Sequence, residues 1–486
     1  MHGTEEAVDG EGVVAEIAPK SRSDRKIDRL GTESTFKLLL EFSIPAVAGM
    51  LVQMLYNVID AVYVGHAVGA DGLAATTVAN PMMTAMVAVA MLVGVGGNAL
   101  AAIKLGERKK GVAERVMGNS FVLLVGAGVV AWIVGLAALD PILRASGADD
   151  AVLPHARAFM TVIIAGCPLQ FVAFGMNNFI RTAGHPNRAL GSMLVGTGAN
   201  IVLGYLFIIV LDGGMTGAGL ATVCSWALSA AFVMQFFLKK GSPMPLRREA
   251  LGIKWRVALR ICALGVAPSV MELGFAVSNM IMNNLLLSYG ASDPLGSDGA
   301  LAVMRVLSAV GMFTIMPSMG IAMGAQPIIG YNHGAMKPGR VLLTLKYGVL
   351  AGTSFTTLGF LACVFFPRGI AGLFTDDASL ISLAANGLII CVLAFPLIGS
   401  QIIIGNFFQA IGKARLAIFL SLTRQMLFLL PFLLVLPRFW GQDGVWASLP
   451  LADVLSFIVT LLFIRRFLKY YRLKNRHYLV PGTGKA

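Results

Sequence analysis

Charge is what this chain has least of. Asp, Glu, Lys and Arg make up 13% of its 486 residues, against about 25% in an average soluble protein. Too few charged side chains are present to coat a water-facing surface of that size, which excludes an ordinary soluble globular fold. Histidine and cysteine are equally thin. The six histidines (His2, His66, His155, His185, His333, His477) are dispersed and mostly near expected loops. The five cysteines (Cys167, Cys224, Cys262, Cys363, Cys391) all fall inside apolar segments, without metal-ligand spacing or a disulfide framework. No His, Cys or paired acids stand at catalytic spacing, so a membrane-embedded enzyme has no footing and no cofactor is expected. No apolar leader opens the chain, and residues 1–35, polar and charged, read as a flexible tail. The glycine-rich run GVGGN (94–98) lies inside an apolar segment with no strand before it. A phosphate loop needs that strand, so close helix packing explains the run better.

Long apolar runs are what the chain has instead, and 57% of it is hydrophobic. Segments long enough to cross a bilayer, which takes about 20 residues, occur near 36–64, 78–103, 119–139, 157–180, 189–211 and 217–238. A basic stretch, 239–256, follows, and then come 258–289, 300–328, 343–366, 380–408, 416–436 and 444–467. The expected fold is an all-α membrane protein of twelve transmembrane helices in two six-helix lobes, 36–238 and 257–467, with a basic tail at 468–486. Lys and Arg concentrate in every second loop: 104–115, 181–188, 239–256, 337–346, 413–415 and both tails. The alternate loops favour acids, Asp149/Asp150, Asp293/Asp298 and Asp376/Asp377. By the positive-inside rule both termini are cytoplasmic, in a cytoplasmic (inner) membrane. The net charge of +13 is then topology and attraction to anionic lipid, and nucleic acid is not an expected partner.

The two halves repeat. Pro45 and Asp60 in the first segment pair with Pro268 and Asn283 in the seventh at equal spacing. Near the ends of the fourth and tenth segments, Pro168 matches Pro396, Asn178 matches Asn406, Phe179 matches Phe407 and Gly184 matches Gly412. Six-helix halves related by an internal repeat are a transporter layout, with a ligand site expected between or within the halves near mid-membrane. An even helix count per half makes the repeats parallel.

Polar residues inside the apolar segments mark candidate sites. Gln53, Asn57 and Asp60 share one face of the first helix. A carboxylate in hydrocarbon costs roughly 2.5–3.5 kcal/mol on insertion scales, so that face should meet a cavity. Glu272, Asn279 and Asn283 form a stripe on the seventh helix; the amides either line a cavity or tie neighbouring helices together. The second half holds four intramembrane charges, Glu272, Arg305, Arg424 and Asp453, which point to internal pairing, Arg424 with Asp453 or with Glu272. The first half offers Asp60 no deep basic partner. A desolvated carboxylate in that position takes up a proton or recruits a cation, which puts the coupling site in the first lobe. Methionines such as Met280 suit a cavity that accepts many shapes, and they serve as packing equally well. Prolines 45, 168, 268, 317 and 396 are expected to bend their helices.

The runs YNVIDAVYVG (56–65), GVGGNALAAIKLG (94–106), NNFIRTAGHPNRA (177–189) and GAQPIIGYNHGA (324–335) resemble those of the MATE (multidrug and toxic compound extrusion) family. The last of these, with NFFQAIGKA (406–414) and SLTRQMLFLLP (421–431), looks like its bacterial MepA-like branch. The resemblance covers about Thr35 to Arg466 and implies a V-shaped pair of six-helix lobes. It also implies antiport, in which cationic lipophilic small molecules leave as H⁺ or Na⁺ enters, by a protein expected to act as a monomer in the lipid bilayer. Asp60 matches the family's first-helix coupling acid. Asn200 matches an asparagine that often precedes a second acid by four residues, where this chain has Gly204. An acid common two turns after the seventh-helix proline is here Ala276, with Glu272 one turn earlier. The resemblance therefore puts ion coupling on Asp60, Asn57, Gln53 and Asn200. Tyr56, Asn178, Glu272, Asn279, Met280 and Asn283 are the candidates for the substrate cavity. One carboxylate with amides is a sufficient proton site, so H⁺ is favoured over Na⁺. A lipid or lipid-linked sugar flippase of similar architecture is the alternative, though such a protein calls for a cationic central cavity.

Overall fold

The computed structural model describes residues 22–239, 241–290 and 296–474. The tail residues beyond them, Asp293, and the Asn57 and Asp298 side chains lie outside the described residues. A short helix, α1 (Arg22–Thr32), leads into α2 (Thr35–Ala67), α3 (Ala70–Gly106), α4 (Lys110–Ala137), α5 (Leu139–Ala145), α6 (Leu153–Ala165) and α7 (Cys167–Thr182). The first lobe ends with α8 (Pro186–Gly204), which runs on through a π-helical turn at Tyr205–Val210, and α9 (Gly214–Leu238). The second lobe comprises α10 (Trp255–Gly290), α11 (Gly296–Gly334), α12 (Pro338–Phe365), α13 (Pro367–Ala371), α14 (Ala378–Val392) and α15 (Phe395–Ala410). It closes with α16 (Ala414–Leu422), a second π-helical turn at Thr423–Leu429, α17 (Leu430–Val435) and α18 (Pro437–Lys474).

Ten of these helices are long and apolar enough to span a membrane, and two bent pairs bring the count to twelve. The pairs are α6–α7, bent by 56°, and α14–α15, bent by 46°. Each second member starts with proline in its first turn, Pro168 and Pro396, at matching places in the repeat. Proline lacks the N–H that would continue the preceding helix, and it is preorganised to begin a new one. Two expected kinks are therefore breaks. Pro45, Pro268 and Pro317 stay inside continuous helices.

The expectation of a flexible tail through residue 35 fails for its last part. Residues 22–32 form α1, whose Ile27 and Leu30 are buried. The basic linker is likewise held against the bundle. Asn119 on α4 donates to the Gly252 carbonyl (3.1 Å) and accepts from the Lys254 N–H (2.8 Å).

The ends of the bundle differ. At the end carrying α1 and the Lys/Arg-rich loops, here the basic end, one apolar core runs through both lobes, joining Leu100 and Leu105 to Ile261, Leu264, Ile328 and Phe407. At the other, acidic end the second lobe has a separate core, built from Leu286, Val303, Leu388 and Trp446. The lobes thus share an interior at one end and part toward the other.

Glycine makes the shared end possible. A β carbon on Gly320 or Gly324 of α11 would lie 2.8 Å from Val47 Cα or Ser43 Cα of α2. Between α3 and α10, a β carbon on Gly96 would collide with the Ile261 carbonyl and one on Gly265 with that of Leu92. Between α3 and α11, Gly106 abuts the Tyr331 carbonyl and Gly334 that of Ile103 just as closely. Backbone meets backbone there, the small-residue packing that GVGGN predicted. A buried polar chain crosses the same seam. Thr182 hydrogen-bonds Asn98, and Asn98 Nδ2 donates to Gln326 Oε1 at 2.8 Å. Gln326 Nε2 reaches Gln409 Oε1 at 3.5 Å, and Gln409 Nε2 donates to the Leu264 carbonyl at 2.9 Å.

Candidate functional site

Asp60 sits two turns before the acidic end of α2, on a helix that packs along α8. Its carboxylate is largely enclosed, and Oδ1 has neither solvent nor a hydrogen-bond partner among the described residues. No described cation pairs with it. One turn earlier on the same face, the Tyr56 hydroxyl faces both Asp60 and Thr222. Thr222, on α9, in turn accepts from Asn200 Nδ2 on α8 at 3.3 Å and donates to the Ala218 carbonyl at 3.1 Å. Asn200 and Thr222 are both buried. Three helices thus bring Asp60, Tyr56, Thr222 and Asn200 into one polar group inside the first lobe.

Gly204 closes the α8 side of that group. A β carbon there would lie 3.1 Å from Tyr63 Cδ2 and 3.9 Å from Asn200 Oδ1. The place where the resemblance leads one to seek a second acid is thus bounded by an aromatic ring, and Tyr63 packs on Tyr205 (centroids 6.5 Å apart). The π-helical turn begins at Tyr205, directly after Gly204. Such turns inside α-helices interrupt the regular ladder and are frequent at functional sites.

In the second lobe Arg424 takes Asp453 as its partner and not Glu272. Arg424 Nε donates to Asp453 Oδ1 at 2.5 Å, in surroundings that leave Asp453 3% exposed. The second π-helical turn contains Arg424 and buries Gln425, which hydrogen-bonds Ser278 on α10 at 3.3 Å. Glu272 is half-buried and has no hydrogen bond or ion pair among the described residues.

The remaining candidates separate. Gln53 is exposed, Asn279 half-buried, and Asn283 and Met280 exposed, toward the acidic ends of α2 and α10 where the lobes part. Asn178 is a correction. It lies buried at the basic end of α7, accepting from Arg181 Nη1 at 2.7 Å and donating to the Phe174 carbonyl at 3.3 Å. Its matched position in the repeat marked a shared structural corner and not a cavity wall. Tyr63 and Thr222 went unnoticed in the sequence. Thr222 carries no signal there, whereas Tyr63 lies one turn beyond Asp60 in the motif that holds it.

Comparison with known proteins places this geometry. The MatE family model matches residues 45–206 and 269–435, one stretch in each lobe. The multidrug export protein MepA of Staphylococcus aureus (strain MSSA476) is 23% identical over 441 residues, spanning 91% of this chain and 94% of the relative. Among solved structures, the MATE multidrug transporter DinF-BH, solved in complex with a drug-like ligand, is 36% identical, with a TM-score of 0.84, covering 90% of this chain and 97% of that one. An outward-facing multidrug resistance MATE family transporter superposes with a TM-score of 0.85 at 24% identity over 93% of this chain and 99% of its own.

Proposed function

The chain belongs to the MatE family, and on that premise we propose that it is a secondary antiporter exporting cationic lipophilic compounds in exchange for protons bound at Asp60. The carrying observation is the contrast between two acids. Asp453 is committed to Arg424, whereas Asp60 is enclosed with an oxygen that nothing satisfies. Leaving a buried polar atom unpaired costs about 1–3 kcal/mol, more if it is charged. A proton or a bound cation removes that cost. Relatives named as multidrug exporters, and a related multidrug transporter solved with a drug-like ligand, support drug-like cargo.

The Lys/Arg-rich loops lie at the basic end, which the positive-inside rule assigns to the cytoplasm, with both termini, in a bacterial inner membrane. The closed seam is then the cytoplasmic one, and the cleft opens outward. In that state Asp60 takes a proton arriving from outside. Neutralising it weakens the hold on a cationic drug that competes for the same carboxylate, and the drug leaves. The proton-loaded lobe then favours the inward-open state, and such a difference in affinity between the two states drives the cycle. Na⁺ is less well served, because a second oxygen-rich acid is missing where Gly204 stands against Tyr63. The Tyr56, Asn279, Met280 and Asn283 side chains, with Glu272, are assigned to the cargo-facing walls. A flippase for anionic headgroups would want a positive cavity, and the buried guanidinium of the second lobe is already neutralised.

The test is export by purified protein in vesicles under one imposed gradient at a time. A proton gradient alone is expected to drive cationic dye uphill, and Asp60→Asn is expected to reduce that export to background with the fold intact. Uphill export under a Na⁺ gradient alone, with pH equalised by an ionophore, would refute the proton assignment. An unmutated rate in Asp60→Asn would refute the role of the acid.

A further inference from the structure

The helix that the sequence concealed, α1, docks on the basic end in a way that the transport site does not require. Its last carbonyls are captured by the second lobe. Lys337 Nζ donates to Gly31 O at 2.7 Å, Arg340 Nη2 to Leu30 O at 3.2 Å, and Asn332 Nδ2 to Leu30 O at 2.8 Å. Arg340 Nη2 also reaches Glu33 O at 2.5 Å. The last carbonyls of a helix have no partner of their own, and cations at that end complement its dipole. Tyr331 adds a hydrogen bond from its hydroxyl to Asp28 Oδ1 at 3.3 Å. Leu30 is 1% exposed and belongs to the core shared by both lobes.

The other side of α1 is fastened to the first lobe. Arg29 bridges Glu33 at 2.6 Å and Glu41 of α2 at 2.8 Å, and its hydrogen bond holds the Glu33 carboxyl below the usual carboxylate range. The Lys26 carbonyl lies over Gly184 in the α7–α8 turn, where a β carbon would approach to 3.0 Å. So α1 belongs by chain connection to the first lobe, and it is gripped by α11 and the start of α12 in the second. No such bridge between the lobes can survive their separation at this end.

We propose that α1 is a clamp across the closed basic end, holding the present state and having to let go of Asn332, Lys337 and Arg340 before the lobes part there. The proposal rests on the alternating-access reading above, but its test does not depend on transport. Spin labels at Lys109→Cys and Met336→Cys, both exposed and in turns of opposite lobes at the basic end, report the separation in full-length protein carrying Cys224→Ser and Cys262→Ser. The unaltered docking site should give one short distance. Lys337→Ala with Arg340→Ala should add a longer distance, raising the open fraction by about tenfold or more. Leu30→Glu should do the same from the helix side, and if it does not fold, the surface pair decides alone. Distances identical to those of the unaltered docking site in the folded pair variant would overturn the clamp. If the label pair opens as expected but vesicles export no dye, the transport reading fails and the clamp stands. If dye export proceeds with the distances unmoved, the clamp fails and the transport reading stands.

Discussion

Replacing Arg424 by alanine should be among the most damaging single changes in the second lobe, and the damage should be reversible by a second change. The guanidinium lies 2.5 Å from Asp453, with relative side-chain exposures of 24% and 5%. Arg424→Ala removes the only described counter-charge from a carboxylate that has almost no access to water. Stranding one member of such a pair costs about 3–5 kcal/mol. Removing both charges leaves mainly a packing defect, since replacing a buried pair by apolar groups is often neutral. The double variant Arg424→Ala, Asp453→Ala should therefore be more stable than Arg424→Ala alone, with a coupling of about 2–3 kcal/mol. Unfolding in mixed micelles, followed for the two singles and the double, measures this. A parallel cycle with Glu272→Gln should be additive to within about 0.5 kcal/mol. Additive behaviour with Asp453, or coupling to Glu272 in its place, would refute the reasoning. Because coupling is assigned to Asp60, the double variant should also retain gradient-driven export; loss of export in a folded double variant would move the pair from scaffold to mechanism.

Asn98→Leu should loosen the closed end, because it leaves Thr182 and Gln326 without their partner at a cost of about 1–3 kcal/mol; faster amide exchange in α3 and α11 near the seam would show it. Gly265→Ala should prevent closure there, since its β carbon would collide with the Leu92 carbonyl; the Lys109–Met336 label pair should report separation, and unaltered distances would contradict the packing described. Tyr56→Phe, which removes the hydroxyl facing Asp60 and Thr222, should slow export by about tenfold while leaving melting unchanged, as a paired transport and thermal-shift measurement can verify.

The spans and their duplication were legible because bilayer thickness imposes a length on every apolar run and the repeat preserved its prolines. Asp60 was legible for the same physical reason: an acid among apolar residues is costly enough to need a purpose. Depth and direction were not. Asn178 lies in an apolar segment like the cavity candidates, and only the packed structure shows it bonded to Arg181 at the closed end. Arg424 had two possible acids, and choosing between them takes the relative rotation of three helices, to which the π-helical turn contributes without a sequence signature. The helix α1 escaped because its composition is that of a solvated tail; what orders it is hydrogen bonding from Asn332, Lys337 and Arg340, some three hundred positions away.

The glycine seam also constrains how this protein can evolve. Any substitution of Gly96, Gly106, Gly265 or Gly334 adds a β carbon where a carbonyl of the other lobe already stands, so no mutational step at these positions is small. The cleft walls carry no such restriction: Met280 and Asn283 are exposed, and their replacement displaces no backbone. Inheritance in this chain is accordingly divided. The hinge-like closure is frozen by geometry, while the range of compounds it handles stays open to drift, so variants selected under drug pressure should accumulate along the cleft and leave the seam intact.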